Sequence, residues 1–229
     1  MIHLFALLSL LLCGVCYTGF QNSSHFHNTS NRRSLLLLVF GGALLLRLLL
    51  AYTTHGFSND IACFAAWADR IFTLGPGQFY SAEMFTDYPP GFMYVLYLIG
   101  ALRSLLQIPY YSDLHILLLK LPAILCDIAC GFLLYREAVK RLHFSDLQGI
   151  FAASAYLFQP AVILNSSCWG QVDSVYTLMI ILMCLFLMKG NLLPAYAVYG
   201  LGVLLKPQML IFTPVLLAGI WDHVFLQDF

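Results

Sequence analysis

The chain has 229 residues, of which 61% are hydrophobic and only 10% are charged, and its mean hydropathy is +0.83. A soluble domain has about 25% charged residues, so this composition excludes an ordinary soluble protein and indicates an all-α integral membrane protein with several spans. The formal net charge is zero and no long run of like charges occurs, which argues against nucleic acid as a partner.

Residues 1–34 are predicted to be an apolar leader followed by a polar linker. Met1–Phe20 is interpreted as a signal sequence, an additional span or a product of a gene-model error, and the absence of Lys and Arg argues against the signal sequence. Asn22 and Asn28 lie in N-x-S/T sequons, which matter only if the linker is lumenal.

Residues 35–221 are predicted to form a bundle of transmembrane helices with an external loop over 53–90, and 222–229 a truncated tail. A span needs about 20 apolar residues and no fewer than about 17, so 91–106 and 192–205 are the weakest segments. The seven apolar segments cover 35–52, 91–106, 114–135, 149–165, 172–188, 192–205 and 209–221.

Basic residues favour the cytoplasmic side of a membrane and so predict the orientation of this bundle. With the basic residues inside, the loop 53–90 and the regions 165–171 and 206–208 lie on the opposite face. Two apolar segments, 91–106 and 114–135, then lie between the external loop and the cytoplasmic Arg136, where an odd number of crossings is required. We therefore expect 91–106 to dip into the membrane or lie obliquely without crossing it. The basic residues are Arg32, Arg33, Arg136, Lys140, Arg141 and Lys189.

The external loop begins with an acidic residue ahead of an aromatic pattern. Ser58 or Asn59 can cap a short helix that starts near Asp60. Asp60, Phe64 and Trp67 would then share one face of that helix, which would hold Asp60 at the mouth of the bundle. The alternative is a carboxylate that only interacts with the helix dipole.

The external loop ends in the sequence FTDYPPGF. Two prolines prevent a helix from running back through them, so Asp87 and Tyr88 are held in an extended turn immediately before a membrane segment. A plain interfacial turn with an aromatic anchor is the alternative.

Two charged residues interrupt the apolar segment that contains LLLKLPAILCDIAC. Lys120 and Asp127 are seven residues apart and therefore share one helix face. A charge at the bilayer centre costs about 2.5–3.5 kcal/mol, which indicates a polar cavity or a partner. A structural ion pair with another helix is the alternative. Arg47 is likewise a charge within an apolar segment, unless its side chain snorkels to the interface.

A cluster of amides, a carboxylate and an indole follows the next segment. Asn165, Trp169, Gln171 and Asp173 lie at a span boundary, and such groups suit a sugar, whose hydroxyls need polar partners and whose C–H face stacks on aromatic rings. An interfacial tryptophan belt is the alternative.

Lys206 lies between two apolar segments, and Pro207 interrupts the helix after it. A lysine beside exposed backbone N–H groups would suit a phosphate, whereas an ordinary turn lysine is the alternative. The seven cysteines are scattered through apolar runs and are interpreted as buried structural residues. We expect no metal site and no cofactor.

The order of the motifs D-x6-W, D-Y-P-P-G, K-x6-D, W-G-Q-x-D and K-P-Q resembles that of the GT-C membrane glycosyltransferases, which use polyprenyl-phosphate sugars. The chain is most similar to the second mannosyltransferase of GPI-anchor assembly and its bacterial and protist relatives. The dolichyl-phosphate-glucose glucosyltransferases of N-glycan precursor assembly carry a similar D-x6-W, D-Y-P-P and K-Q-M, which matches Lys206, Gln208 and Met209. The resemblance covers roughly residues 40–215.

This resemblance implies a polytopic GT-C-type helical bundle, truncated at its C-terminus because members commonly have more spans. It implies an inverting hexosyl transferase. The closer similarity to the second mannosyltransferase of GPI-anchor assembly implies that the hexose is mannose. The donor would be a dolichyl- or polyprenyl-phosphate sugar and the acceptor lipid-linked or a glycan, on the lumenal or extracytoplasmic face. The membrane would be the endoplasmic reticulum in a eukaryote and the plasma membrane in a bacterium.

The resemblance also implies roles for individual residues. Asp60 would be the catalytic base, a single acidic residue where some relatives have two, and Lys206 would stabilise the phosphate. The other residues expected to bind or position substrate are Trp67, Asp87, Tyr88, Lys120, Asp127, Asn165, Trp169, Gln171, Asp173 and Gln208.

Two other functions compete with the transferase. Intramembrane charges at Lys120 and Asp127, with a proline-broken segment near Lys206, would also suit a transporter, although no internal repeat is found. The short chain also suits a non-catalytic, truncated GT-C-like membrane subunit.

Overall fold

A computed structural model describes residues 2–22, 32–82 and 85–225, and every regular element in these ranges is helical. Residues 23–31 of the predicted linker, with the sequon at Asn28, and residues 226–229 of the predicted tail lie outside them, whereas the two ends of the linker belong to α1 and α2. The α-helices are α1 (Ile2–Asn22), α2 (Arg32–Thr53), α3 (Ser58–Leu74), α4 (Pro90–Leu105), α5 (Asp113–Lys140), α6 (Asp146–Leu157), α7 (Pro160–Ile163), α8 (Asp173–Leu187), α9 (Leu192–Leu205) and α10 (Thr213–Phe225). A π-helical turn covers Leu164–Trp169, and 3-10 turns cover Pro76–Gln78 and Pro207–Phe212.

Two helices, α2 with 22 residues and α5 with 28, are long and apolar enough to cross a membrane. A third candidate span consists of α6 and the stretch Pro160–Trp169, which meet at a bend of 51°. The bend has a local cause, because Pro160 lacks an N–H and disfavours helical backbone at Gln159. The all-helical prediction is therefore confirmed, with two or three candidate spans that indicate a membrane protein.

Three of the predicted apolar segments form helices that are shorter than a span. The weak segment 91–106 is the 16-residue helix α4, and α8 and α9 have 15 and 14 residues. None of these reaches the length of about 17 residues that a straight span needs. The polytopic GT-C arrangement therefore stays a prediction.

The chain divides into two compact units, and α5 contributes to both. Unit 1 contains Met1–Ser58 and Lys120–Ser174, and unit 2 contains Asn59–Leu119 and Val175–Phe229. The core of unit 1 comprises Ala43, Tyr135, Ile150, Ala153 and Leu157. One core of unit 2 comprises Met183, Ala195, Met209 and Leu216.

Arg32, one of the residues predicted to be cytoplasmic, lies at one end of unit 1. Arg32, at the start of α2, donates to the Tyr135 hydroxyl at 2.9 Å and pairs with Asp146 at 3.2 Å. Tyr135 lies near the end of α5 and Asp146 opens α6, after the capping box of Ser145 and Gln148. The start of α2, the end of α5 and the start of α6 therefore lie together, and the side of the membrane that they face stays a prediction.

Candidate functional site

The helix predicted to begin near Asp60 begins at Ser58 and continues to Leu74. Its Phe64 and Trp67 are buried, whereas Asp60, in the first turn, is only partly buried. The amphipathic pattern explains this arrangement, because the aromatic residues at i+4 and i+7 fill the core and leave the carboxylate at the helix start. In unit 2, α3 thus holds Asp60 at the edge of an aromatic cluster.

The D-Y-P-P-G turn packs on this cluster. The ring of Tyr88 lies 5.5 Å from the ring of Phe64 and 5.8 Å from that of Trp67. Trp67 Nε1 donates to the carbonyl oxygen of Phe85 at 3.1 Å. The hydroxyl of Tyr80 donates to the backbone carbonyl oxygen of Tyr88 at 3.0 Å. These contacts hold the turn against α3, while Asp87 remains exposed.

Lys206 reaches the same turn from the end of α9. Its backbone is extended between α9 and the 3-10 turn, and its Nζ lies 5.7 Å from the ring centre of Tyr88 and 5.7 Å from that of Tyr176. Gly91 makes this approach possible, because a Cβ there would lie 2.6 Å from the carbonyl oxygen of Leu204. The K-P-Q and D-Y-P-P-G motifs, which are distant in sequence, therefore meet in unit 2.

Two of the acidic residues of the external loop, Asp60 and Asp87, influence the same thiol. Burial raises the pKa of Cys63 on α3, and the negative charges of Asp87 and Asp60 raise it further. Asp60 precedes Cys63 by one turn of α3, and Asp87 precedes Tyr88, whose ring packs on that of Phe64 next to Cys63. Unit 2 thus gathers Asp60, Asp87, Tyr88 and Lys206.

In unit 1, the segment 165–173 presents its polar groups together. Asn165 Nδ2 donates to Asp173 Oδ2 at 2.8 Å, and the rings of Trp169 and Phe57 lie 5.3 Å apart. Trp169 is 51% exposed. Gly170 has φ +87°, a left-handed conformation that favours glycine. The chain turns here, and the N–H groups of Gly170 and Gln171 both donate to the carbonyl oxygen of Asn165.

Lys120 and Asp127 are fully buried and have partners inside unit 1. Lys120 Nζ donates to the carbonyl oxygens of Ala51, Thr54 and Ser167 at 3.2, 2.6 and 2.9 Å. Asp127 pairs with Arg47 at 3.1 Å, and neither side chain has exposed area. These contacts favour the structural alternative for both residues; substrate binding by them stays a prediction.

The predicted site residues thus form two groups, one in each unit. The group of unit 2 is Asp60, Trp67, Asp87, Tyr88, Lys206 and Gln208, and the group of unit 1 is Lys120, Asp127, Asn165, Trp169, Gln171 and Asp173. Sequence reasoning missed Tyr176, and it missed Arg47 as the partner of Asp127. The signal for Arg47 was present, because an unexplained cation in one apolar run and an anion in another are natural partners.

Within the described ranges, no three His, Cys, Asp or Glu side chains come close enough together to hold a metal ion. In comparisons with known proteins, no family model matches the chain, and neither a curated protein nor a solved structure is significantly similar to it.

Proposed function

We propose that the chain is a membrane glycosyltransferase that moves a hexose from a polyprenyl-phosphate donor to a hydroxyl of a lipid-linked or glycan acceptor. The observation that carries the proposal is the meeting of Lys206 with the D-Y-P-P-G turn in unit 2, where Asp60 and Asp87 also lie. A cation, two carboxylates and aromatic rings are the groups that a phosphorylated sugar requires.

Asp60 acts as the general base in this scheme. Its carboxylate removes the proton from the acceptor hydroxyl, and the acceptor oxygen forms a bond to the anomeric carbon of the hexose. The bond from that carbon to the lipid phosphate oxygen breaks, and the lipid phosphate leaves with the electron pair. Attack opposite to the leaving group inverts the anomeric centre. The position of Asp60 in the first turn of α3, only partly buried, leaves its carboxylate accessible to an acceptor.

Lys206 stabilises the charge that develops on the leaving phosphate. It is partly buried and lies over two tyrosine rings, 5.7 Å from each ring centre. Aromatic faces attract a cation, and they hold the long side chain in place before the reaction. A cation that is positioned in advance in a partly desolvated site stabilises a developing anion more strongly than a mobile cation in water does.

Unit 1 by itself offers a second candidate for sugar binding, the segment 165–173. The Asn165–Asp173 pair offers donors and acceptors to sugar hydroxyls, and the exposed indole of Trp169 offers a stacking face. The nearest competing function is a non-catalytic subunit, which binds but does not transfer.

The test is transfer of labelled hexose from polyprenyl-phosphate mannose or glucose in membranes that contain the full chain. We expect Asp60→Asn to lower the transfer rate by about 10²- to 10⁴-fold, the usual contribution of a general base. Asp113→Asn is the matched control, because Asp113 also lies in the first turn of a helix in unit 2 and is exposed.

Transfer that survives Asp60→Asn at native protein level would contradict the assignment of the base. No transfer from either donor, in membranes where a known polyprenyl-phosphate mannosyltransferase works, would contradict the enzyme function and favour the subunit.

A further inference from the structure

The segment 165–174 begins and ends at hydrogen bonds to one buried carboxylate. Ser166 Oγ donates to Asp127 Oδ2 at 2.6 Å, and Ser174 Oγ donates to Asp127 Oδ1 at 2.5 Å. Asp127 and Ser166 have no exposed area, and Ser174 has 5%. A single side chain on α5 therefore holds both ends of the segment that carries W-G-Q-x-D.

The carboxylate of Asp127 is itself held in place. Arg47 Nε donates to Oδ2 at 3.1 Å, and the hydroxyl of Tyr156 donates to Oδ1 at 3.2 Å. Arg47 Nη2 also donates to the carbonyl oxygen of Leu157 at 2.7 Å. A buried carboxylate stays charged only when it is paired and hydrogen-bonded, and four donors to its two oxygens leave it no freedom to rotate.

Lys120 holds the same segment at the residue after Ser166. Its Nζ donates to the carbonyl oxygen of Ser167 and also to those of Ala51 and Thr54, at the end of α2. The last carbonyls of a helix have no partner within it, and a lysine there is favourable. Lys120 therefore joins the end of α2 to the segment.

The backbone of the segment depends on these side-chain contacts. As far as Gln171 it consists of a π-helical turn and the left-handed Gly170, and its last two residues begin α8. Most of it therefore lacks the repeating hydrogen bonds that fix a long α-helix or a sheet. Such π-helical turns occur mostly as single turns and frequently at functional sites. The segment also carries the half-exposed Trp169 and the partly buried Asn165–Asp173 pair.

We infer that Asp127 and Lys120 are positioning residues, which hold the segment 165–174 in one conformation so that Trp169, Asn165 and Asp173 form a binding face in advance of the ligand. Neither buried residue contacts the ligand. The identity of the ligand as a hexose rests on the proposed function, whereas the positioning role of Asp127 and Lys120 does not.

The test measures local opening through Cys168, which lies inside the segment and is half-buried. Alkylation of each cysteine in the native chain is followed by peptide mass spectrometry. The variant is Ser166→Ala with Ser174→Ala, which removes both ties to Asp127 and leaves the Arg47 pair intact. Lys120 is kept, because its replacement would remove contacts with the end of α2 as well as with the segment.

We expect Cys168 to be alkylated about tenfold faster or more in this variant, because each lost bond to a charged group lowers the free energy of local opening. Cys184 in unit 2, also half-buried, should react at its native rate. The matched control is Ser145→Ala, which removes the buried cap of α6 at the other end of unit 1 and should leave the Cys168 rate unchanged.

A native Cys168 rate in the folded double variant would overturn the positioning role. An equal acceleration in Ser145→Ala, or at Cys184, would also overturn it, since that result means general loosening. Loss of hexose transfer in the double variant, with the native Cys168 rate, would assign the serines to the ligand instead. Absence of transfer in the native chain contradicts only the proposed function.

Discussion

Lys206 shows how much a single side chain depends on its surroundings. In sequence it is one lysine before a proline, for which an ordinary turn is a sufficient explanation. In unit 2 its Nζ lies over two tyrosine rings, one of them in the D-Y-P-P-G turn. The rings hold the charge in a partly desolvated place, where it interacts more strongly with an anion than it would in water.

Replacing Lys206 therefore tests the charge itself. We expect Lys206→Gln to lower hexose transfer by about 10²- to 10³-fold, the effect of removing one preorganised group that stabilises a developing anion. Lys206→Arg should keep part of the activity, because a guanidinium also stacks on tyrosine rings. Lys189→Gln, which changes an exposed lysine of unit 2, serves as the control. Equal transfer rates in Lys206→Gln and Lys189→Gln would contradict the role.

At the scale of elements, the candidate site of unit 2 depends on a close contact between α4 and α9. Gly91 opens α4, and a Cβ at this position would lie 2.6 Å from the Leu204 oxygen and 2.8 Å from the Leu204 carbonyl carbon. Both atoms belong to backbone, so the helices themselves would have to move apart. The glycine of the D-Y-P-P-G motif is therefore explained by packing.

We expect Gly91→Ala to destabilise the protein by about 1–3 kcal/mol, the usual cost of overpacking. It should also reduce hexose transfer, because it moves the end of α9 and with it Lys206. Thermal unfolding in detergent measures the first effect. Gly77→Ala in the same unit is the control, since a Cβ there meets nothing within 4 Å. Native stability of Gly91→Ala would show that the helices are not in contact as described.

The elements were predicted better than their contacts. Helical spacing of apolar residues predicted α3, and the burial of Phe64 and Trp67 agrees with it. The sequence also contained Arg47 and Asp127, but nothing local identified them as partners. Their pairing depends on how α2 packs against α5, and packing between helices is a property of the folded chain.

At the scale of the whole molecule, the candidate spans of unit 1 determine which residues face which side of a membrane. Arg32 contacts Tyr135 and Asp146 at one end of the unit, and Lys120 contacts Thr54 and Ser167 at the other. The C-terminus of α2 and Lys120, where the part of α5 in unit 1 begins, therefore lie on the same side of unit 1 as the polar segment 165–173. With the basic end in the cytoplasm, that segment faces the lumen or the exterior.

This orientation is tested with His55→Cys and His143→Cys, two exposed positions that follow α2 and α5. In sealed vesicles with the external or lumenal face outward, a membrane-impermeant maleimide should label position 55. It should label position 143 only after the membrane is permeabilised. Peptide mass spectrometry identifies the labelled cysteine. Labelling of both positions from one side would contradict a single crossing by α2 and by α5.

The sequence by itself determined the class of protein and most of its elements. Its apolar composition excludes an ordinary soluble protein, and its local spacing predicts helices, because both signals arise within a few consecutive turns of chain. The tertiary structure decided which polar residues lie together. It brought Lys206 to Tyr88 and Tyr176, and it surrounded Asp127 with Arg47, Ser166 and Ser174. Those contacts join residues far apart in sequence, and the free energy of burying each charge depends on partners that only the packed helices supply.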